Sequence, residues 1–167
     1  MEEKTNYLEE KIQKWLIDEG MFNQKVDDVN TNFHFRVNYP PEHNIDIIQP
    51  VVKKDMIVIG CMTKISDQHK QLMMANPDKN KAFIDELKLL INGYLLDFEL
   101  SHPDFILDTI VITDEMYEDG ITKNSLMNNI RKIFKVKIQA IWMMEKFYIQ
   151  ESSKNKSNSS LDPSMYV

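Results

Sequence analysis

The side chains best suited to metal or acid–base chemistry in this sequence are four histidines and one cysteine, and their placement supports neither. His34, His43, His69 and His102 are not paired at the spacing that a zinc-binding helix or finger requires. Alternation puts His34 on the polar side of a strand, and His43 and His102 neighbour turns, so all read as surface or capping residues. Cys61 is the only cysteine. It can form no internal disulfide, which fits a reducing compartment. It lies inside an apolar strand pattern, where a thiol behaves as an inert small hydrophobe.

Glycine is scarce, with only Gly20, Gly60, Gly93 and Gly120. No phosphate-cradling loop, dinucleotide fingerprint or nucleophile elbow can be assembled from them. The acidic stretch TDEMYEDG, residues 113–120, invites a calcium reading. Aligning Gly120 to an EF-hand puts Tyr117 where Asp or Asn belongs and Leu126 where the bidentate Glu belongs, so that reading fails. A strand-to-helix turn with Gly120 at positive φ is expected instead. The one basic cluster, RKIFKVK at 131–137, places Arg131, Lys132 and Lys135 together on a helix as a candidate patch for an anionic partner. No reaction follows from any of these motifs.

The elements that must position these residues follow from periodicity. Residues 4–19 carry a helical stripe of Leu8, Ile12, Trp15 and Leu16 that Gly20 ends. Residues 23–31 read as a polar connector. Phe33, Phe35, Val37 and Tyr39 alternate with polar residues as a half-buried strand. Ile45–Val52 is a second strand, where Pro50 marks an edge, a bulge or an early end. Met56–Met62 is a third, with no polar face. Ser66 or Asp67 caps a short helix, and Asn76-Pro77 restarts a longer one to about Glu99. Because that helix is apolar nearly all round, it is expected to lie under more than one layer. Phe105–Thr113 is a fourth strand, apolar on both faces except at Asp108. Thr122 caps a last helix with an Ile121–Leu126 staple, and Leu126, Ile130, Ile133, Phe134, Ile138, Ile141 and Trp142 form its stripe.

This order predicts an α+β fold: an antiparallel three-strand meander plus a fourth strand after a split helix, packed with N- and C-terminal helices. Residues 1–150 form one domain, and 151–167 a disordered polar tail. A chain of 167 residues buries roughly 70% of its unfolded surface. A net charge of −6 and a pI near 5.2 disfavour nucleic acid as a partner. No apolar run reaches the length of a membrane span, and the charged N-terminus is no signal peptide. A cytoplasmic protein without cofactor or metal is expected.

Three stretches carry a resemblance: the meander, KISDQHKQLMMANPDKNKAFIDELKLLI, and ILDTIVITDEMYEDGITKNSLMNNIRKIFKVKIQAIWMMEKF. Over residues 4–149 the chain resembles an uncharacterised archaeal family of small proteins, a domain of unknown function of the 2299 type. The element order is also similar to the type III secretion chaperone-like fold. That resemblance implies helices packed on a sheet and frequent dimerisation, and it brings no catalytic residues. The fold often has a further short strand before the last helix, for which little room exists between Thr113 and Ile121.

The leading functional expectation is a non-enzymatic protein- or peptide-binding module acting as a homodimer. Its apolar partner surface is drawn from Met56, Val58, Met62, Leu89 and Leu96, because one sheet layer cannot cover so many apolar faces. The eleven methionines suit either a core or an adaptable surface. The alternative is a small-molecule-binding protein or enzyme with a pocket between sheet and helices, for which His34, Arg36, Asp46 and Asp108 are the polar candidates.

Overall fold

In the computed structural model, the backbone is described for residues 2–157 and side chains for 7–148. Helix α1 (Glu2–Asp18) buries Leu8, Ile12 and Leu16. It ends as its sequence predicts. Gly20 takes φ +67°, Met21 N–H donates to Leu16 C=O at 2.9 Å and Gly20 N–H to Ile17 C=O at 3.0 Å. These are the two bonds of a Schellman cap, which only a residue free to be left-handed closes at low cost.

Six antiparallel strands follow: β1 (Phe22–Lys25), β2 (Thr31–Asn38), β3 (Asn44–Pro50), β4 (Met56–Lys64), β5 (Asp97–Ser101) and β6 (Thr109–Tyr117). Their order across the sheet is β1-β2-β3-β4-β6-β5. The fold is α+β with the expected meander, and two strands are added to the expected four. β1 occupies part of the supposed polar connector; three of its four side chains are exposed, so no apolar alternation announces it. β5 occupies the end of the supposed long helix. Helix α3 (Pro77–Gly93) stops at Gly93, Leu95 turns at φ 56°, and Phe98 and Leu100 then point inward at a period of two. The apolar residues at 94–100 fit either period, and pairing with β6 decides between them.

Helix α2 (Asp67–Ala75) is capped by Ser66, whose Oγ accepts from His69 N–H at 3.3 Å. Asn76 makes no side-chain cap for α3; it donates back to Leu72 C=O at 2.8 Å. β3 ends at Pro50, short of the expected Val52, which is the early end among the three readings of that proline. Phe105 lies in a 3-10 turn at φ 62°, so β6 starts later and runs through the first half of the acidic stretch. The turn at Glu118–Gly120 is also 3-10, and Gly120 does not take the positive φ expected of it.

Helix α4 (Lys123–Ser157) opens on a reciprocal cap. Ser125 N–H donates to Thr122 Oγ1 at 3.1 Å and Thr122 N–H to Ser125 Oγ at 2.9 Å. The Ile121–Leu126 staple is buried. Its buried stripe continues from Ile133 through Val136, Ala140, Met144 and Tyr148, whereas Trp142 is 63% exposed. The expected stripe therefore drifts by about a third of a turn. The helix also passes the expected domain boundary at 150, so residues 151–157 are helical. Residues 158–167 of the expected tail lie outside the described residues.

All four helices serve one core. α1 packs on β1 and β2, α4 on β4 and β6, and α3 on α4 and β5. The strand residues that meet them share one face: Phe33, Phe35, Ile47, Ile59 and Ile112 are all buried. The helix layer is locked by a satisfied polar chain. Tyr148 OH donates to Asn80 Oδ1 at 2.7 Å, and Asn80 Nδ2 donates to Met73 C=O at 2.9 Å. Burial pushes the Tyr148 phenol up to about 12, so it stays a donor.

Candidate functional site

The opposite face of the sheet is the candidate site, because among the described residues no helix packs on it. It is built from the alternate residues of the same strands. From β2 come His34 and Arg36, from β3 Asp46 and Ile48, from β4 Val58, Gly60 and Met62. From β6 come Val111 and Thr113, and from β5 Asp97 and Glu99.

The middle of this face is an apolar depression of about 180 Å³, lined by Ile48, Val58, Met62, Val111 and Thr113, with Asp46 at its edge. Gly60 makes the floor. A Cβ there would lie 2.7 Å from Thr113 Cγ2 and 3.0 Å from the Ile112 carbonyl, so the strand pair closes only around a bare backbone. Met62 is 67% exposed. The thioether and the branched side chains beside it form a contiguous apolar strip facing solvent.

A polar cluster borders this strip. Asp46 Oδ1 accepts from His34 Nε2 at 2.9 Å and from Arg36 Nε at 3.0 Å. Asp28 Oδ2 lies 3.9 Å from His34 Nδ1, too far for a hydrogen bond, and Nδ1 is buried without a partner. Arg36 spends only Nε on Asp46, leaving its terminal nitrogens free of protein partners among the described residues. The cluster offers a guanidinium to an anion. It contains no Ser, Cys or Lys, and among the described residues no three His, Cys, Asp or Glu side chains converge as a metal site.

The comparisons with known proteins bear on this face only through the fold. The profile of an uncharacterised conserved protein family, DUF2299, matches residues 8–144. The chain belongs to the DUF2299 family. A crystal structure of an uncharacterised protein from Methanothermobacter thermautotrophicus is 40% identical, with a TM-score of 0.81 over 83% of this chain and 97% of that one. YbjN from E. coli is 15% identical, with a TM-score of 0.49 over 77% of this chain and 87% of its own; at that distance the likeness bears on neither mechanism nor partner. No curated protein matches the chain.

Within this DUF2299 chain, the residues expected to form one apolar partner surface are scattered. Val58 and Met62 lie on the helix-free face. Met56, at the start of β4, is 3% exposed, and Leu96 is equally buried in the core. Leu89 is 72% exposed, but on α3, which packs on the other side of the sheet. Its exposure also corrects the expectation that this helix is covered all round.

The basic patch is similarly divided. Lys132 pairs with Asp114 of β6 at 2.5 Å. Arg131 acts electrostatically on Glu19, whose carboxyl is held below the usual carboxylate range first by Lys123 and then by Arg131. Of the three, Lys135 alone is left exposed without such an acidic neighbour among the described residues.

Of the four polar candidates, His34, Arg36 and Asp46 do converge. Asp108 stands apart: it holds Lys70 and accepts from Thr109 Oγ1 at 2.9 Å, and Lys70 keeps its carboxyl low. Cys61 faces the core, where burial pushes the thiol from 9.0 to about 11, so it is no nucleophile near neutrality. Sequence reasoning missed Ile48, Gly60, Val111 and Asp97. With Ile47 and Ile112 placed in the core, alternation puts their chain neighbours Ile48 and Val111 on the other face. Gly60 and Asp97 gain their places only from strand pairing.

Among the described residues no helix is long and apolar enough to cross a membrane.

Proposed function

We propose that this chain is a non-enzymatic protein-binding module that acts as a homodimer, with the second copy seated on the helix-free face of the sheet. The observation that carries this reading is the apolar strip of exposed Met62 and half-buried Ile48, Val58 and Val111 on a sheet whose other face takes the helices. Sheets of this kind bury their apolar faces against another layer, and monomers rarely leave contiguous apolar patches open. The strip spans adjacent paired strands, which suits a face-to-face partner more than a small ligand.

Chemistry favours the same side. Small-molecule pockets run to roughly 300–1,000 Å³ and enclose their ligands, whereas this depression holds about 180 Å³ and is open. The larger cleft of about 590 Å³ is lined by Asp55, Tyr117, Glu118 and Asp119, three acidic groups and a phenol, with no residue of the His34, Arg36 and Asp46 cluster among them. The convergence of His34, Arg36 and Asp46 is what an enzyme or small-molecule reading would rest on, and it lacks an enclosed volume.

Light scattering tests the reading. The expected mass is twice the 19.7 kDa of the chain, and Val58→Asp, which sets a charge in the middle of the strip, is expected to return a folded monomer. A wild-type chain that stays monomeric at high concentration overturns the proposal, whether or not the face then takes a peptide.

A further inference from the structure

The charges around the strip fix how the second copy would lie, an inference that rests on the homodimer reading above. One row of paired residues runs from β2 to β5 across the helix-free face, and Gln24 of β1 continues it beyond Arg36. Arg36 of β2 stands opposite Asp46 of β3, Asp46 opposite Gly60 of β4, Gly60 opposite Thr113 of β6, and Thr113 opposite Asp97 of β5. Gly60 is the middle of the five residues from Arg36 to Asp97. Arg36 lies two strands to one side and Asp97 two strands to the other, each roughly 10 Å away at the usual strand spacing.

We propose that the two copies stack face to face about a twofold axis that runs along β4 and passes over Gly60. Such an axis exchanges the two ends of the row, so Arg36 of each copy meets Asp97 of its partner. Glu99, one step further along β5, adds negative charge to the same side. Gly60 lies over its own counterpart, where the lack of side chains lets the layers approach. Met62 and Val58 meet their own counterparts on either side of it. The alternative twofold axis, along the row itself, sets Arg36 against Arg36 and Asp97 against Asp97. Like charges brought together across an interface are costly, and this pattern selects between orientations that bury the same apolar strip. Near-aligned strands are also one of the two ordinary ways in which sheets stack.

The partners are available for these contacts. Arg36 keeps its terminal nitrogens free while Nε holds Asp46. Asp97 is exposed on an edge strand and has no partner in its own chain among the described residues. The pairing therefore adds a hydrogen-bonded ion pair at each end of the row without breaking one.

A charge swap read by sedimentation equilibrium in the analytical ultracentrifuge tests this orientation. Asp97→Arg places two cations together at both ends, and Arg36→Glu places two anions there. Each is expected to weaken the dimer by about tenfold or more. The double variant R36E/D97R restores the opposite signs and is expected to recover most of the loss. Circular dichroism confirms the fold of each; Asp97→Arg, at an exposed position, remains informative should Arg36→Glu disturb Asp46. Singles that leave the dimer unchanged, or a double variant no better than the worse single, overturn the orientation while Val58→Asp still splitting the dimer preserves the homodimer reading. A monomeric wild-type chain removes both.

Discussion

The two faces of the sheet are made from the same strands, one residue out of phase. On the helix side, Phe35, Ile47, Ile59 and Ile112 are buried to within 1%. On the other side, their chain neighbours Arg36, Ile48, Gly60 and Val111 are only half covered. The first face is filled by four helices and is the core. The second is apolar in its middle strands and charged at its flanks. The lesson is that a strand apolar on both sides can have one face in the core and the other left uncovered by its own helices.

The sharpest way to break this comparison is to cut each face in turn. Phe35→Ala is expected to cost about 3–5 kcal/mol in urea unfolding, from lost burial and the cavity left behind. A cost below about 1 kcal/mol would show that the helix side is not the core.

Cys61 probes the same face by titration. Its thiol is pushed from 9.0 to about 11 in the folded chain, so the folded state holds its proton more tightly than the unfolded one. The resulting stability is fully present below pH 9 and is lost as the pH rises toward about 11, a contribution of roughly 2–3 kcal/mol. Urea unfolding of the wild type and Cys61→Ala across pH 8–11 checks the sign: the wild-type curve falls more steeply. Identical slopes would mean that the thiol is open to solvent.

Gly60 is where the open face is tightest. Gly60→Ala drives a Cβ to 2.7 Å from Thr113 Cγ2 and 3.0 Å from the Ile112 carbonyl. It is expected to destabilise by about 1–3 kcal/mol, as overpacking does, with a lower thermal midpoint as the readout. No change would mean that β4 and β6 shift apart freely. The smallest effect belongs to Val58→Ala. Measured in dilute solution it is expected to cost less than about 1 kcal/mol, and its cost should grow with protein concentration as dimer forms. A large, concentration-independent cost would place Val58 in a core that the comparison denies.

Much of this architecture is legible in the chain itself. Alternation marks β2, apolar runs between turns mark β3 and β4, the Ser66 and Thr122 caps mark two helix starts, and Gly20 marks a helix end. These signals are local, since a cap or a turn involves residues a few positions apart. β1 escaped because its side chains are mostly exposed, and β5 because its apolar residues fit a helix as well as a strand. The candidate site was legible only in part. Val58 and Met62 follow from a strand with no polar face. Leu96 and Leu89 were grouped with them by hydrophobicity alone, which says nothing about which layer a residue joins.

What the sequence determined by itself is the set of elements with strong local punctuation and the presence of more apolar strand surface than one layer of helices can cover. Tertiary structure alone decided the strand order, and with it the row that sets Arg36 and Asp97 on opposite sides of Gly60. The physical reason is range. Helix periods and caps are written within a turn of chain, whereas a cross-sheet row joins residues 36, 46, 60, 113 and 97, whose nearness exists only after register is chosen by burying the opposite face.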